Sequence, residues 1–150
     1  MRRFRVLGLV IVSVALAGTQ GAVRADETRS FKARLSPVPI EIATAPNIAG
    51  GGTATAELKG RTLVVSGSFE GLRSPATVAR LHYGPKGVRG PAKFDLTVTR
   101  ATSGKISASL ELTPAQVEEL AQGRFYIQLH SEKAPDGNLW GWLLLQESRR

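Results

Sequence analysis

The chain contains two histidines, and their positions suggest that they could bind a metal ion together. His82 and His130 each follow a leucine in a segment that alternates like a strand. If the two strands are neighbours, the imidazoles can meet, and imidazole is a good ligand for copper and zinc. Catalytic metal centres usually take three protein ligands, and Arg80 occupies the position where a third would come most naturally. Two interpretations stay open: a metal site at His82 and His130, or two ordinary hydrogen-bonded histidines.

The rest of the sequence contains no catalytic constellation. The chain has no cysteine, which removes thiolate nucleophiles, cysteine-ligated zinc, iron–sulfur clusters and c-type haem attachment. No serine lies in a Gly-x-Ser-x-Gly context, and no glycine-rich loop opens a helix to hold a phosphate. We therefore expect a non-enzymatic protein without a cofactor.

The segment of residues 139–145 is apolar on both of its faces. Trp140 and Trp142 share one face, whereas an exposed antiparallel strand should alternate apolar with polar residues. Something must therefore cover the tryptophans. Residues 36–49, an irregular segment with three prolines, could fold over them. Alternatively, the face binds a partner or a second copy of the chain, since aromatic residues and arginine dominate binding hot spots.

The preceding strand, residues 125–130, places Tyr126 and His130 on one face. A Pro-Asp-Gly sequence at residues 135–137 predicts the turn that would join this strand to the tryptophan strand as a hairpin. If the two strands pair in this way, the tyrosine and the tryptophans form one aromatic surface, and Arg80 and His82 on a third strand are its candidate neighbours. The candidate binding residues are Arg80, His82, Tyr126, His130, Trp140 and Trp142.

A second candidate for binding is the segment of residues 73–93. It holds five basic residues and no acid, so it could bind an anionic polymer such as a polysaccharide. Basic loops are also common as plain solvated surface. The partner expected from these patterns is an unknown protein or polysaccharide, and no pattern favours a nucleic acid.

Short segments with period-two alternation position these residues. They predict seven or eight strands joined by turns, which is typical of a β-sandwich or a barrel. One helix interrupts them near residues 114–122, because Thr113 can cap it, Gln116 completes a capping box and Gly123 ends it. The predicted fold class is therefore all-β with one short helix.

The N-terminus predicts export. Arginines precede an uncharged apolar stretch, residues 6–18, and a small-x-small site follows, so residues 1–25 are predicted to be a signal peptide and residues 26–150 one domain. The stretch is shorter than the roughly 20 residues of a membrane span, although an uncleaved anchor stays open as an alternative. Cleavage of the signal peptide removes four arginines and lowers the net charge from +8 to +4. This smaller charge gives little support for nucleic-acid binding. We expect a periplasmic or extracellular protein with no membrane span after cleavage.

Several short motifs follow one another in a recognisable order. They are Phe31-Lys32-Ala33-Arg34-Leu35, Gly52-Thr53-Ala54-Thr55-Ala56, Gly71-Leu72, Ala79-Arg80-Leu81-His82-Tyr83-Gly84-Pro85, Phe125-Tyr126-Ile127-Gln128-Leu129-His130-Ser131 and Pro135-Asp136-Gly137-Asn138-Leu139-Trp140-Gly141. Their order and spacing resemble a CHRD domain, the repeat named after chordin and also found singly in exported bacterial proteins. The resemblance extends over residues 31–143.

The resemblance implies an immunoglobulin-like antiparallel β-sandwich, secretion, and binding rather than catalysis. The family has His-x-His where this chain has Arg80-Leu81-His82, and Gly-Glu-Ile-Arg-Gly where it has residues 137–141. The family's histidines are similar in spacing to the copper ligands of copper,zinc superoxide dismutases. The alternative function is therefore copper or zinc binding on a superoxide-dismutase-like sandwich, with His82 and His130 as ligands.

Overall fold

The computed structural model describes residues 27–147, so the predicted signal peptide and its cleavage site lie outside the described residues. Within this range the chain folds into strands and one short helix. Their bounds are β1 Arg29–Pro37, β2 Gly51–Lys59, β3 Thr62–Glu70, β4 Ala76–Tyr83, β5 Ala92–Val98, β6 Gly104–Glu111, α1 Pro114–Ala121, β7 Phe125–Ser131, β8 Ala134–Trp142 and β9 Leu144–Leu145. A 3-10 turn, Ala45–Asn47, lies between β1 and β2.

The strands form one antiparallel ladder that closes on itself. The order around the barrel is β1, β2, β3, β6, β5, β4, β7, β8 and back to β1. β1 pairs with β2 over most of its length, and it also pairs with β8 at Ser36 and Pro37. β9 adds a short pairing near the start of β1, where Leu145 lies opposite Phe31. β1 is therefore hydrogen-bonded on both of its sides.

The predicted all-β fold with one short helix is confirmed, but the strand pairing is not that of an immunoglobulin-like sandwich. Such a sandwich consists of two separate sheets packed face to face. Here β5 pairs with β4 as far as Leu96 and with β6 at Thr97 and Val98. Because β5 and β1 each pair with both halves of the ladder, they join what would be two sheets into a closed eight-stranded barrel. Closure removes the free edges that a sandwich leaves.

Apolar residues that alternate along the strands fill the interior of the barrel. Phe31 and Leu35 of β1 meet Ile127 and Leu129 of β7 in a single core, and all four are almost completely buried. The helix α1 contributes Leu120 to the same core. Burying a side chain of this size stabilises the fold by about 1.5–3 kcal/mol, so the inward face of each strand fixes its register.

The helix begins as its sequence predicts. The Thr113 side chain accepts a hydrogen bond from the backbone N–H of Gln116, and the Gln116 side chain accepts one from the Thr113 N–H, which completes the capping box. Gly123 follows the helix with a φ of +71°, a conformation that favours glycine. No helix among residues 27–147 is long and apolar enough to cross a membrane.

The predicted turn at residues 135–137 is wrong. The chain reverses at Glu132 and Lys133, with Ser131 opposite Ala134, and residues 135–137 lie inside β8. β8 therefore carries extra residues opposite His130, where the register with β7 shifts. Side chains of β7 account for this bulge, because His130 and Gln128 are hydrogen-bonded to backbone carbonyls of the Pro-Asp-Gly sequence. The tryptophans nevertheless keep the face that was predicted for them.

Candidate functional site

The outer face of β4, β7 and β8 carries all six residues predicted from the sequence. Tyr126 lies opposite Trp142 and Gln128 lies opposite Trp140, so the tyrosine and the tryptophans share one face, although the register is not the one that a turn at residues 135–137 would set. On the other side of β7, His82 of β4 is the partner of Tyr126. These side chains point away from the barrel interior because their neighbours in sequence fill the core.

Five of the six residues meet in one aromatic cluster, formed by His82, Tyr126, His130, Trp140 and Trp142. The Tyr126 ring centre lies 5.1 Å from that of His82 and 4.6 Å from that of Trp142. The two tryptophan rings are 4.8 Å apart and nearly edge to face, a favourable geometry for aromatic pairs. The two imidazole centres are 6.4 Å apart, which confirms that the histidines meet.

The loop of residues 84–91 covers one side of the aromatic cluster. The Tyr126 hydroxyl accepts a hydrogen bond from the Gly90 N–H at 2.8 Å, and the Trp142 Nε1–H donates to the Gly84 carbonyl at 3.0 Å. Gly90 approaches β4 so closely that a Cβ there would overlap the Tyr83 carbonyl. The glycines of this loop therefore allow its backbone to lie directly on the aromatic rings.

Part of the proline-rich segment covers the opposite side of the cluster. Val38 and Ile48 are buried together with Ala134, and Trp140 packs against these three side chains. The predicted cover by residues 36–49 is therefore real for Trp140, although only in part, since Trp140 stays half-buried. Trp142, under the loop of residues 84–91, is only 8% exposed.

The two histidines are held by the backbone through the same ring atom. His82 Nδ1 lies 2.9 Å from the Gly90 carbonyl, and His130 Nδ1 lies 2.8 Å from the Pro135 carbonyl. A carbonyl only accepts, so each Nδ1 carries a proton, and Nε2 has a bare lone pair whenever its ring is neutral. Both Nε2 atoms are buried and neither has a hydrogen-bond partner.

Positive charge and burial keep His130 neutral. Its pKa lies below the ordinary value of 6.5, chiefly because burial penalises the charged imidazolium. The hydrogen bond to Pro135 opposes this shift, whereas charge at His82, Arg80 and Arg89 adds to it. Arg80, the sixth predicted residue, lies beside the aromatic cluster and forms an ion pair of 2.9 Å with Asp95.

Two imidazoles are too few for the zinc form of the predicted copper or zinc centre. Among the described residues, no three His, Cys, Asp or Glu side chains are arranged to hold a metal ion. Zinc takes at least three protein ligands, and the nearest charged groups, Arg80 and Arg89, are cations that repel a metal. The donor set therefore fits neither a structural nor a catalytic zinc site.

A groove beside the aromatic cluster was not predicted from the sequence. It has a volume of about 340 Å³ and lies along β1, β8 and the tip of the loop of residues 84–91. The groove is lined by Arg34, Ser36, Lys86, Gly87, Trp140, Gly141, Trp142 and Leu144. The sequence signal for it was the outward alternation of Lys32, Arg34 and Ser36 along the first strand. This signal was missed because the pairing of that strand with β8, which closes the barrel, cannot be deduced from the sequence.

Four polar atoms of the aromatic cluster are hydrogen-bonded to backbone groups rather than to one another. The hydroxyl of Tyr126, the Nε1 of Trp142 and both Nδ1 atoms all bond to the covering loops or to β8. No side chain of the cluster is placed as a nucleophile beside a base, which is the arrangement that covalent catalysis requires. The arrangement fixes the loops and holds an aromatic surface open at its rim.

Fold and site together define a closed all-β barrel with an aromatic cluster and a groove on its outer face. Comparison with protein-family models gives the more particular identification. The model of the CHRD domain matches residues 31–143, and the chain belongs to this family. A search of the curated proteins found no significant match. A search of the solved structures likewise found none.

Proposed function

We propose that the protein is an exported, non-enzymatic module that binds a macromolecular partner, a protein or a polysaccharide, in the periplasm or at the cell surface. One observation carries the proposal: half-buried Trp140 lines an open groove together with Arg34 and Lys86, neither of which has an ion-pair partner among residues 27–147. Membership of the CHRD family, a family of non-enzymatic modules, supports the same conclusion.

The rigidity of the surface favours binding as its role. The loop of residues 84–91 is anchored at Gly84 and Gly90, and Arg89 donates to the Asp136 carbonyl at 2.9 Å. A surface that is ordered before it meets its partner loses less conformational entropy on association. The closed barrel beneath it supplies the fixed frame.

Cross-linking at the groove tests this function. A lysine analogue that carries a diazirine and keeps its ammonium group, and that inserts into bonds of proteins and glycans alike, replaces exposed Lys86 in the full chain expressed in its native cells. Lys105, an exposed lysine of β6 outside the groove, is the matched control position. We expect a discrete adduct from position 86 and none from position 105. Equal adducts from both positions, or none from position 86, would contradict the proposal; a covalent dimer would identify a second copy as the partner.

Export has its own test. The sequence of residues 1–25 supports a cleaved signal peptide, and the mature N-terminus is then Asp26. Mass spectrometry of the periplasmic or secreted protein should give the mass of residues 26–150. A protein that retains residues 1–25 would overturn cleavage and favour the anchored alternative.

The second candidate function is copper binding at His82 and His130, which is the part of the predicted copper or zinc alternative that the ligand count of zinc does not exclude. The specific observation in its favour is the pair of buried Nε2 atoms without a partner. Purified protein offered copper should then hold about one ion per chain, and His82→Gln and His130→Gln should each abolish this stoichiometry. Retention well below one ion, or retention that survives both substitutions, would rule the candidate out.

A further inference from the structure

The groove is formed by two facing rows of side chains with different chemistry. Ser36 of β1 lies opposite Trp140 of β8, and Lys32 of β1 lies opposite Leu144 of β9. Arg34 lies between them on the same outward face of β1 and lines the groove together with Trp142. One row of the groove is therefore polar, with the Ser36 hydroxyl and the Arg34 guanidinium, and the other row is apolar, with the Trp140 indole and the Leu144 side chain.

The polar row carries positive charge that the described protein does not neutralise. Arg34 and Lys86 line the groove, whereas no Asp or Glu among residues 27–147 lines it. The ion pairs found in that range join Arg61 to Glu111 and Arg80 to Asp95, both outside the groove. Unpaired cations converging on one cleft favour an anionic ligand.

The apolar row is held in place and is partly open to solvent. Trp140 is half-buried, and Leu144 is 42% exposed. Trp142 is held in place because its Nε1–H is already donated to Gly84, so it offers only its ring. Indole rings of this kind contact the C–H faces of sugar rings, whose hydroxyl groups then remain in the ring plane for polar partners such as Ser36.

The strand pairing disfavours a peptide as the occupant. An extended peptide gains most of its affinity by adding a strand to a free sheet edge. β1 is paired with β2 on one side and with β8 and β9 on the other, so it has no free edge of this kind. Gly141 brings the β8 backbone so close to β1 that a Cβ there would overlap the Arg34 carbonyl. The ligand must therefore bind side chains and not backbone.

We infer that the groove binds an acidic polysaccharide, a glycan chain that carries carboxylate or sulfate groups. The Arg34 guanidinium and the Lys86 ammonium contact the anionic groups, and a sugar ring packs on Trp140. This inference rests on the proposed function and names its ligand class.

Tryptophan fluorescence reports binding at this place, because Trp140 and Trp142 are the only tryptophans of the chain and both line the groove. The full protein is titrated with polygalacturonate, with dextran sulfate, with neutral dextran and with polyglutamate. We expect a saturable change with polygalacturonate or dextran sulfate that weakens as salt is added, since the charges are exposed. Neutral dextran and polyglutamate should produce no saturable change.

Paired variants locate the charge requirement. Arg34→Gln combined with Lys86→Gln should weaken polysaccharide binding by about tenfold or more, whereas Arg100→Gln combined with Lys105→Gln, which removes equal charge from exposed residues outside the groove, should weaken it less than about threefold. All four positions are exposed, so both variants should fold normally.

Each other outcome overturns the inference. Equal binding of neutral dextran would remove the charge requirement, and equal binding of polyglutamate would identify an acidic peptide as the ligand. Equal losses in the two paired variants would show nonspecific attraction to a basic protein. Absence of binding to both acidic polysaccharides would reject the ligand class, while the cross-linking from position 86 would still decide the proposed function separately.

Discussion

The inner and outer faces of β7 are both buried, but by different means. Inside the barrel, Ile127 and Leu129 contact apolar side chains from other strands. On the outside, Tyr126 and Gln128 are covered by irregular backbone that their own polar atoms hold in place. The inner face therefore builds the fold, whereas the outer face positions the loops, and only the outer face ends at an open rim where a ligand can contact it.

The largest effect should come from the inner face. Leu129→Ala removes a completely buried side chain from the core and should lower the free energy of unfolding by about 2–5 kcal/mol. Urea unfolding followed by circular dichroism measures the loss. A loss below about 1 kcal/mol would mean that the inner face is not the main source of stability.

A smaller effect is expected where the outer face holds the loop of residues 84–91. Tyr126→Phe keeps the ring but leaves the Gly90 N–H without its acceptor, which should cost about 1–3 kcal/mol. Hydrogen exchange should accelerate at Gly90 and spare core amides such as Ile127. Unchanged exchange at Gly90 would show that the tyrosine does not hold the loop.

The outer face should also make stability depend on pH. The pKa of His130 is lower in the folded protein than the ordinary 6.5 of an unfolded chain, so the unfolded state binds more protons as the pH falls. The free energy of unfolding should therefore be highest above pH 6.5 and decrease as the pH drops through the folded pKa. His130→Gln, whose amide can still donate to Pro135, should show a weaker decrease between about pH 7.5 and about pH 5. An identical decrease in both proteins would assign it to other groups.

Period-two alternation was enough to predict the strands and the composition of the outer face, and the capping box at Thr113 and Gln116 was enough to predict the helix. Alternation was not enough for barrel closure, because closure depends on the pairing of Ser36 and Pro37 with β8, more than 100 residues further along the chain. Nor did it give the true hairpin turn, since Pro135 and Gly137 are common turn residues that here form a bulge bonded to β7 side chains. The groove was missed for the first of these reasons, because Arg34 and Trp142 become neighbours only when the barrel closes.

The two tryptophans of the outer face have different roles, and one comparison of variants tests this difference directly. Trp142→Ser and Trp140→Ser are made in the protein that carries the diazirine at position 86, and the free energy of unfolding and the cross-linking yield are measured for each. Trp142→Ser should destabilise the fold by about 3 kcal/mol or more, because its ring is buried and anchors Gly84. Trp140→Ser should cost clearly less stability and still abolish the adduct. Equal destabilisation by the two substitutions, with the adduct surviving in Trp140→Ser, would show that both tryptophans are structural and would contradict the assignment of a binding surface.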